Sequence, residues 1–473
     1  MTNMNFPSNR RNFLKSLGLA GTGLAVSGAA LSPASAAAAK LEPPQVSRRP
    51  ARARYMGDFA APKLETVRWG VIGVGVRGSA HVEQLAQLTG SRIVAISDLY
   101  EDNANRSASV VEKLSQPRPE LYLGSPVKYK QMLARSDIDA VLIATPWGDH
   151  APMAMAAMKA GKHAFVEVPL GLTLEELWQV VDTSEQTGRH CMMMENCCYD
   201  RRSLLFLNLC RLGILGELLH GEGSYLHDLR GQMQQVERGT GSWRTPYYAK
   251  ANGGNLYPTH GLGPVAQYMS LARTEDTFER LVSFASPART RALYAQANFP
   301  AGHKWNRMQF ECGDISIQIL KTRLGRTIMM QWDESSPRPY SRHDLIMGTK
   351  GVLAGYPLPS RAAIEGRGKA DEWLEGPEFE KLYAEYEHPL WKRLGEAAVT
   401  IGGHGGMDFI MRSRMVECLR NGEPLDQNVY EGAFWSAVRP LSSKSEQEGG
   451  QPQLFPDFTR GGWCMTRRLG IVA

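Results

Sequence analysis

The chain has 473 residues, of which 43% are hydrophobic and 22% are charged, and its formal net charge is +6. This length is too great for one compact core, so we expect two domains in an otherwise ordinary globular protein. The small net charge does not indicate a nucleic-acid partner.

Residues 1–36 have the pattern of a twin-arginine export signal. SNRRNFLK (8–15) precedes an apolar, Gly/Ala-rich run (16–31), and the segment ends in Ala34-Ser35-Ala36. The apolar run is shorter and richer in glycine than the ~20 apolar residues that cross a bilayer. We therefore expect export to the periplasm or the medium without stable membrane insertion once the signal is removed. Its removal takes away three basic residues and no acidic one, so the net charge falls from +6 to +3.

Residues 37–66 form a Pro/Arg-rich arm without helical or strand periodicity, which predicts a linker or a wrapping arm. The seven cysteines are an odd number and include no CxxC pair and no histidines at metal-ligand spacing. We expect buried free thiols and no metal site. A twin-arginine signal agrees with free thiols, because such a protein folds in the cytoplasm before export and can carry a cofactor with it.

Strands and helices alternate from Val67 to about residue 198. Short apolar runs such as VRWGVIG, RIVAISD, DAVLIAT and HAFVEV are separated by helical stretches, and Thr173 with Glu176 predicts a capping box. This alternation is typical of a parallel sheet covered on both faces. We therefore assign residues 67–198 to a doubly wound α/β domain of the Rossmann type.

Residues 199–473 contain longer extended runs separated by turns of Gly and Asp, such as RMQFECG, DISIQILKT and HDLIMGTKG. These runs predict an α+β domain with a large, mostly antiparallel sheet. The helical segments near its end are expected to pack back on the rest of the chain. An exposed face of this sheet, together with the arm, would suit a homodimer.

The segment GVGVRG carries the strongest local motif. Gly73, Gly75 and Gly78 are spaced as GxGxxG directly after a strand and at the start of a helix, where a pyrophosphate can approach backbone N–H groups. The next strand ends in Asp98, where a carboxylate would accept hydrogen bonds from a ribose 2′-hydroxyl and favour NAD over NADP. Arg77 within the loop would instead suit a 2′-phosphate. We predict that NAD is the cofactor.

Two further strand ends point to the crevice in which a nicotinamide would lie. TPWGDH (145–150) and EVPLG (167–171) each follow a buried strand, and ligands bind beyond the carboxyl ends of parallel strands. Ordinary packing at the start of a helix is an equally good explanation of Trp147 and His150.

Together, GVGVRG, TPWGDH, EVP and MMMEN resemble the glucose-fructose oxidoreductase and inositol dehydrogenase family. That family typically has a lysine in an EKP motif that helps to remove a proton from a sugar hydroxyl, and Val168 occupies this position. SYLHDLR, GSWRT, NLYPTHGLGP, RPYSRHDLIMGTKG and GHGGMDF further resemble the NAD-dependent glycoside hydrolases of family 109, the N-acetylgalactosaminidases, from about residue 67 to the C-terminus.

The resemblance implies two groups of site residues. The cofactor site, including the glycines of the motif, comprises Gly73, Gly75, Arg77, Gly78, Asp98, Trp147, Gly148, Asp149, His150, Glu167, Val168, Asn196 and Tyr257. The sugar site comprises Tyr225, Arg244, Tyr257, Pro258, Thr259, His260 and Tyr340. His404 and Arg244 also suit polar contacts with the sugar hydroxyls or an acetamido group.

The implied reaction hydrolyses a terminal N-acetylgalactosamine by a redox route, an exception to the usual pair of carboxylates. C3 is transiently oxidised by NAD, C2 is deprotonated, the C1 substituent is eliminated, water adds, and the hydride returns. We assign His260 as the base on the C3 hydroxyl, because imidazole titrates near neutral pH. Tyr257 or Tyr199, as a tyrosinate, would remove the C2 proton. A turn histidine at the start of a helix near Pro264 is the alternative role of His260.

Two other functions fit parts of the sequence. A periplasmic two-substrate sugar oxidoreductase with tightly bound NAD(P) would also restore its own cofactor, but it would be expected to have the lysine that Val168 replaces. An exported sugar-binding protein with a vestigial cofactor fold would show no turnover. The sequence leaves open the anomer that is cleaved and the choice between galacto and gluco substrates.

Overall fold

The computed structural model describes residues 49–51 and 53–471. The export signal expected in residues 1–36 and the first part of the arm lie outside the described residues. None of the helices that the structure describes combines the length and the hydropathy needed to span a bilayer.

The first domain is a six-stranded parallel sheet in the order β3-β2-β1-β4-β5-β6, which is the Rossmann order and confirms the predicted fold class. Its strands are β1 (Val67–Ile72), β2 (Ser91–Asp98), β3 (Glu120–Leu123), β4 (Ala140–Ile143), β5 (His163–Val166) and β6 (Cys191–Met193). Its helices are α1 (Val76–Gln87), α2 (Glu101–Lys113), α3 (Tyr129–Leu133), α4 (His150–Lys159) and α5 (Leu174–Thr187). The capping box predicted for Thr173 and Glu176 is present at the start of α5.

The second domain contains an eight-stranded sheet in the order β13-β12-β11-β7-β10-β9-β8-β14, in which only the β7–β10 pair is parallel. Its elements are α6 (Arg201–Arg211), β7 (Leu218–Leu226), α7 (Thr240–Lys250), α8 (Thr259–Tyr268), β8 (Phe278–Ala285), α9 (Thr290–Asn298), β9 (Ser316–Thr322), β10 (Thr327–Asp333), β11 (Ser341–Gly348), β12 (Gly351–Ala354), β13 (Arg361–Ile364), α10 (Pro377–Tyr386), α11 (Pro389–Ile401), α12 (Met407–Asn421), α13 (Val429–Gln447) and β14 (Gln453–Leu454). RMQFECG, which was expected to be extended, is not a strand: it follows a short 3-10 turn and continues as irregular chain.

The C-terminal helices pack back on the Rossmann domain, as the sequence predicts. Ser436 of α13 accepts a hydrogen bond from the backbone N–H of Leu170 at 3.0 Å. On α12, the Arg412 Nε donates to His81 Nδ1 of α1 at 2.7 Å. A single apolar cluster includes Trp69 of β1 and Phe434 of α13, so one continuous core joins the two domains.

The described part of the arm wraps around this core. Arg49 forms an ion pair of 3.1 Å with the buried Glu185 of α5. The backbone N–H of Met56 donates to the hydroxyl of Tyr430 on α13 at 3.1 Å. Of the two alternatives for the arm, these contacts support the wrapping arm.

Two close contacts at glycines explain the position of α8. This helix begins at Thr259, five residues before the start expected near Pro264, and Pro264 lies inside it. A Cβ on Gly261 would lie 2.2 Å from the backbone nitrogen of Ser224 on β7, and a Cβ on Gly263 would lie 2.8 Å from Glu195 Cγ. Only glycine permits this close approach, which brings His260 in the first turn of α8 against the end of the Rossmann sheet.

Buried histidines make the stability of the fold depend on pH. Burial lowers the pKa of His81, His163 and His388 to about 4. In the unfolded chain their pKa returns to about 6.5, so below that pH the unfolded chain binds protons that the folded chain does not. Stability is therefore present above pH ~6.5 and is lost as the pH falls from there toward 4, by up to ~1.4 kcal/mol per pH unit for each histidine.

We expect the midpoint of thermal unfolding to decrease by on the order of 5 °C between pH 7 and pH 5, before most carboxylates titrate. Differential scanning fluorimetry in buffers of constant ionic strength measures this decrease. Because desolvation causes the shift, 0.3 M added salt should leave the slope nearly unchanged. A midpoint that stays constant from pH 7 to pH 5 would contradict the burial of these imidazoles.

Candidate active site

The loop between β1 and α1 has the geometry of a pyrophosphate cradle. Gly73 has a φ of +80°, and a Cβ on Gly78 would lie 1.8 Å from the Gly73 carbonyl oxygen. A Cβ on Gly75 would meet no atom within 4 Å, so space is open above the loop. Asp98 accepts a 2.6 Å hydrogen bond from the Val74 N–H, which holds its carboxylate beside the loop where a ribose would lie. These residues fit a dinucleotide.

Arg77 connects this loop to both domains. Its guanidinium forms ion pairs with Glu167 after β5 at 2.8 Å and with Asp408 on α12 at 2.9 Å. His81 Nε2 lies 2.7 Å from the same Glu167 carboxylate. Burial alone would raise the pKa of Glu167, but Arg77 and His81 hold it well below its ordinary value. Glu167 is therefore an ionised structural anchor of the cofactor loop.

His260 forms a dyad with a buried carboxylate. Its Nδ1 lies 2.7 Å from Oε1 and 2.9 Å from Oε2 of Glu195, which is completely buried after β6. Burial would raise the pKa of Glu195, but His260 and the Cys197 N–H lower it, so this carboxylate is ionised. Gln427 fixes the backbone of Glu195 through two hydrogen bonds. The dyad holds Nδ1 as the donor and leaves Nε2 to exchange a proton.

Aromatic rings surround this dyad. The Tyr257 ring centroid lies 4.8 Å from that of His260 and 4.6 Å from that of Tyr225. Trp147, at the carboxyl end of β4, lies 5.7 Å from Tyr257, and Tyr340 lies 6.1 Å from Tyr225. We call Trp147, Tyr225, Tyr257 and Tyr340 the aromatic wall. The wall connects the sugar-binding residues expected in the second domain to the strand ends of the first domain. Pro258 and Thr259 are buried next to Tyr257 in the chain.

Arg244 of α7 supplies a cation to the aromatic wall. Its Cζ lies 4.7 Å from the Trp147 ring centroid and 5.3 Å from that of Tyr257, and its guanidinium is 3.6 Å from Glu334. This positive charge lowers the pKa of Tyr257, but burial is the larger effect and raises it well above its ordinary value. Tyr257 is therefore a protonated donor, and the expectation that it acts as a tyrosinate is corrected.

A second imidazole lies at the edge of the same group. The Tyr225 hydroxyl is 3.2 Å from Nδ1 of His227, whose ring lies 5.1 Å from Tyr340. Burial lowers the pKa of His227 below its ordinary value, so the ring is neutral at neutral pH and can accept a proton. His227 and Glu195 lie in the motifs SYLHDLR and MMMEN, but the sequence alone predicts no role for either residue.

Two expected site residues lie elsewhere. Tyr199 is 1% exposed and its hydroxyl donates to Asp426 at 3.2 Å, so the 3-10 turn after β6 directs it into the core and away from the aromatic wall. His150 is also buried: its Nδ1 lies 2.7 Å from the Pro169 carbonyl and its Nε2 lies 2.8 Å from that of Thr145. Both imidazole nitrogens of His150 lie within hydrogen-bond distance of backbone carbonyl oxygens, so neither nitrogen is available to a cofactor.

The remaining residues of the cofactor group differ in exposure and in their hydrogen-bond partners. Gly148 and Asp149 are exposed at the start of α4, whereas Val168 is buried below them. Asn196 donates to Asp408 at 2.7 Å. His404 was expected at the sugar, but its Nδ1 lies 2.9 Å from Asp408 and 3.3 Å from Nη1 of Arg77, which places it at the cofactor loop.

Among the residues that the structure describes, one potential cluster of metal ligands contains the dyad. Glu195, Cys197 and His260 each place one ligand atom within 4.8 Å of the other two. Burial raises the pKa of the Cys197 thiol well above its ordinary value, so the thiol is protonated and is a poor ligand. The hydrogen bond between Glu195 and His260 already engages the other two groups.

The sheet order, the glycine cradle and the second sheet define a two-domain dinucleotide-binding protein. Residues 67–195 match the oxidoreductase family with an NAD-binding Rossmann fold. Levoglucosan dehydrogenase in complex with NADH and levoglucosan superposes with a TM-score of 0.61 at 19% identity, over 83% of this chain and 100% of that chain. Scyllo-inositol dehydrogenase from Lactobacillus casei, with bound NAD(H) and scyllo-inositol, gives 0.58 at 15% identity, over 82% and 99%. This likeness concerns the fold alone.

The chain belongs to glycosyl hydrolase family 109, as its motifs predict. Residues 199–465 match the C-terminal domain of glycosyl hydrolase 109. Glycosyl hydrolase family 109 protein 1 of Akkermansia muciniphila is 54% identical over 482 residues, covering 99% of this chain and 100% of the relative. A Shewanella oneidensis protein named alpha-N-acetylgalactosaminidase is 50% identical over 465 residues, covering 98% and 99%.

Proposed function

We propose that the chain hydrolyses terminal N-acetylgalactosamine residues by a redox route that uses NAD without consuming it. The observation that carries this proposal is the His260–Glu195 dyad, which stands at the carboxyl end of the Rossmann sheet beside the aromatic wall. A base backed by a buried carboxylate suits proton removal from a sugar hydroxyl next to a bound dinucleotide. The 50%-identical relative named alpha-N-acetylgalactosaminidase supports the substrate class.

The residues present fit NAD. The open space above Gly75 would take the pyrophosphate, and Asp98 would take the ribose hydroxyls. Bound NAD would supply the hydride acceptor for C3 of the sugar and the hydride donor for its re-reduction. Arg77, held by Glu167 and Asp408, contributes the positive charge of this part of the site.

His260 takes the proton from the C3 hydroxyl. Its Nε2 is the free edge of the imidazole, because Glu195 occupies Nδ1. The buried carboxylate orients the ring and stabilises the imidazolium that forms, so the proton can be stored there and returned when C3 is reduced again. Tyr257, which is protonated, donates a hydrogen bond to the same region of the sugar.

His227 is the acceptor of the second proton, which it receives through Tyr225. The Tyr225 hydroxyl passes its own proton to His227 at 3.2 Å as its oxygen takes the proton from C2. This relay does not require a free tyrosinate, which burial disfavours at Tyr225 because it raises the pKa of the phenol. The two histidines thus give the two proton transfers separate acceptors.

The twin-arginine pattern in residues 1–36 supports export as part of this proposal. A cofactor that is restored in every cycle needs no external supply, which suits an enzyme working outside the cytoplasm. Fusing residues 1–36 to a reporter that is active only after folded export tests this, and retention of the reporter in the cytoplasm would contradict it.

The hydrolytic function is tested with purified protein and no added cofactor. We expect release of the aryl group from an aryl N-acetyl-α-galactosaminide, and in heavy water we expect deuterium at C2 of the sugar product. The matched β-anomer and the gluco epimer in parallel assays define the substrate. Hydrolysis without deuterium at C2 would contradict the redox route, and formation of a sugar lactone would instead support the two-substrate oxidoreductase.

A further inference from the structure

A glycine-rich segment from the second domain reaches the cofactor loop. Residues 402–406, GGHGG, connect α11 to α12, and all five have positive φ values between 50° and 97°. Successive residues in this region require glycine, and His404 is the one residue of the five with a side chain. The sequence therefore maintains an unusual backbone path at this point, with one imidazole at its centre.

His404 is fixed where it meets the loop. Its Nδ1 lies 2.9 Å from Asp408 Oδ2, and Arg77 Nη1 donates to the same oxygen at 2.9 Å. Asp408 is itself completely buried and accepts a third hydrogen bond from Asn196. Because Asp408 engages Nδ1, the remaining ring nitrogen, Nε2, points away from this network.

The outward edge of His404 is accessible. Its side chain is 58% exposed, whereas Asp408 beneath it is completely buried. Arg77 is the second residue of α1, so its guanidinium and His404 stand beside the N-terminus of the helix that closes the glycine cradle. A doubly charged pyrophosphate over Gly75 would thus face the helix N-terminus, Arg77 and His404.

We propose that His404 is a clamp: as an imidazolium between two anions, it donates from Nδ1 to the Asp408 carboxylate and from Nε2 to the pyrophosphate of the dinucleotide, and so slows release of the dinucleotide. The clamp rests on the proposed use of NAD, and it reassigns His404 from the sugar to the cofactor. An enzyme that regenerates its own cofactor gains from slow release, because each lost NAD ends turnover. The glycines that flank His404 have no side chains, so the segment can bring this donor close to the phosphates without steric hindrance.

The test measures dissociation of NAD directly. The purified full chain is loaded with radiolabelled NAD and freed of excess label, and the bound label is followed after addition of excess unlabelled NAD. We expect His404→Ala to release label roughly tenfold faster than the parent, as loss of one hydrogen bond to a charged group predicts. Gly405→Ala should also accelerate release, because its φ of +71° disfavours alanine although no atom lies within 4 Å of the added Cβ.

His220→Ala is the matched control, since His220 lies on β7 and contacts Thr327. It should release NAD at the parent rate. Equal rates for the parent and His404→Ala would overturn the clamp while leaving the proposed hydrolysis intact. A parent protein that takes up no NAD would overturn both the clamp and the cofactor part of the proposed function. Faster release from His404→Ala in a protein that proves unable to hydrolyse the aryl glycoside would support the clamp and count against the proposed function alone.

Discussion

Replacement of His260 by alanine is expected to lower the rate of aryl release by ~10²–10⁴-fold, which is the usual contribution of a positioned general base. The imidazole lies beside the aromatic wall and is held by a buried, ionised carboxylate. Retained NAD is expected, because no contact of His260 involves the glycine cradle. Aryl release and the content of bound NAD after gel filtration are the two measurements.

Glu195→Gln separates orientation of the imidazole from proton transfer by it. The amide keeps the shape of the side chain but cannot stabilise an imidazolium, so we expect a smaller loss than for His260→Ala and a changed dependence of the rate on pH. A merely structural role would lower the thermal midpoint and leave the pH profile unchanged. Full activity of His260→Ala would remove the dyad from the mechanism.

Tyr225→Phe is expected to slow both deuterium exchange at C2 and aryl release by on the order of 10²-fold, because both depend on removal of the C2 proton. The phenylalanine keeps the ring that packs at 4.6 Å on Tyr257 but removes the hydroxyl that reaches His227. Oxidation at C3 depends on His260, so mixing with substrate should still change the absorbance of the bound cofactor.

His227→Ala should reproduce the slower exchange while leaving the phenol in place. Tyr340→Phe is the matched control, because it removes a phenol hydroxyl from the same aromatic wall outside the relay, and exchange should continue. Unchanged exchange in Tyr225→Phe would exclude the relay and leave His260 as the acceptor of both protons.

The elements of the fold and the cofactor loop follow from local sequence. Alternating apolar runs predict the strands of the Rossmann sheet, because burial on both faces leaves few polar positions in each strand. The glycine spacing at Gly73, Gly75 and Gly78 predicts the cradle for a steric reason. A Cβ at the first or last of these positions would collide with the backbone or strain it. Such constraints act within a few residues and can be read from one segment.

The partners of the site residues could not be predicted in this way. His260 and Glu195 are 65 residues apart, and the contact exists because glycines on α8 allow that helix to approach β7 and Glu195. Tyr199 was expected at the sugar, but the 3-10 turn rotates it toward Asp426, which is 227 residues away. His404 likewise contacts Arg77, which lies 327 residues earlier in the chain. No local pattern encodes these pairings.

The return of α13 to the Rossmann domain has a consequence for biosynthesis. A Cβ on Gly432 would lie 3.1 Å from Met193 Cβ, and the Ser436 hydroxyl accepts a hydrogen bond from the backbone of Leu170. The residues of α13 that cover the surface next to β6 therefore follow β6 in the chain by more than 230 positions. A nascent chain that has just finished β6 exposes this apolar surface on the ribosome. The apolar surface of the nucleotide domain beside β6 is therefore covered by α13 only once that helix has been synthesised.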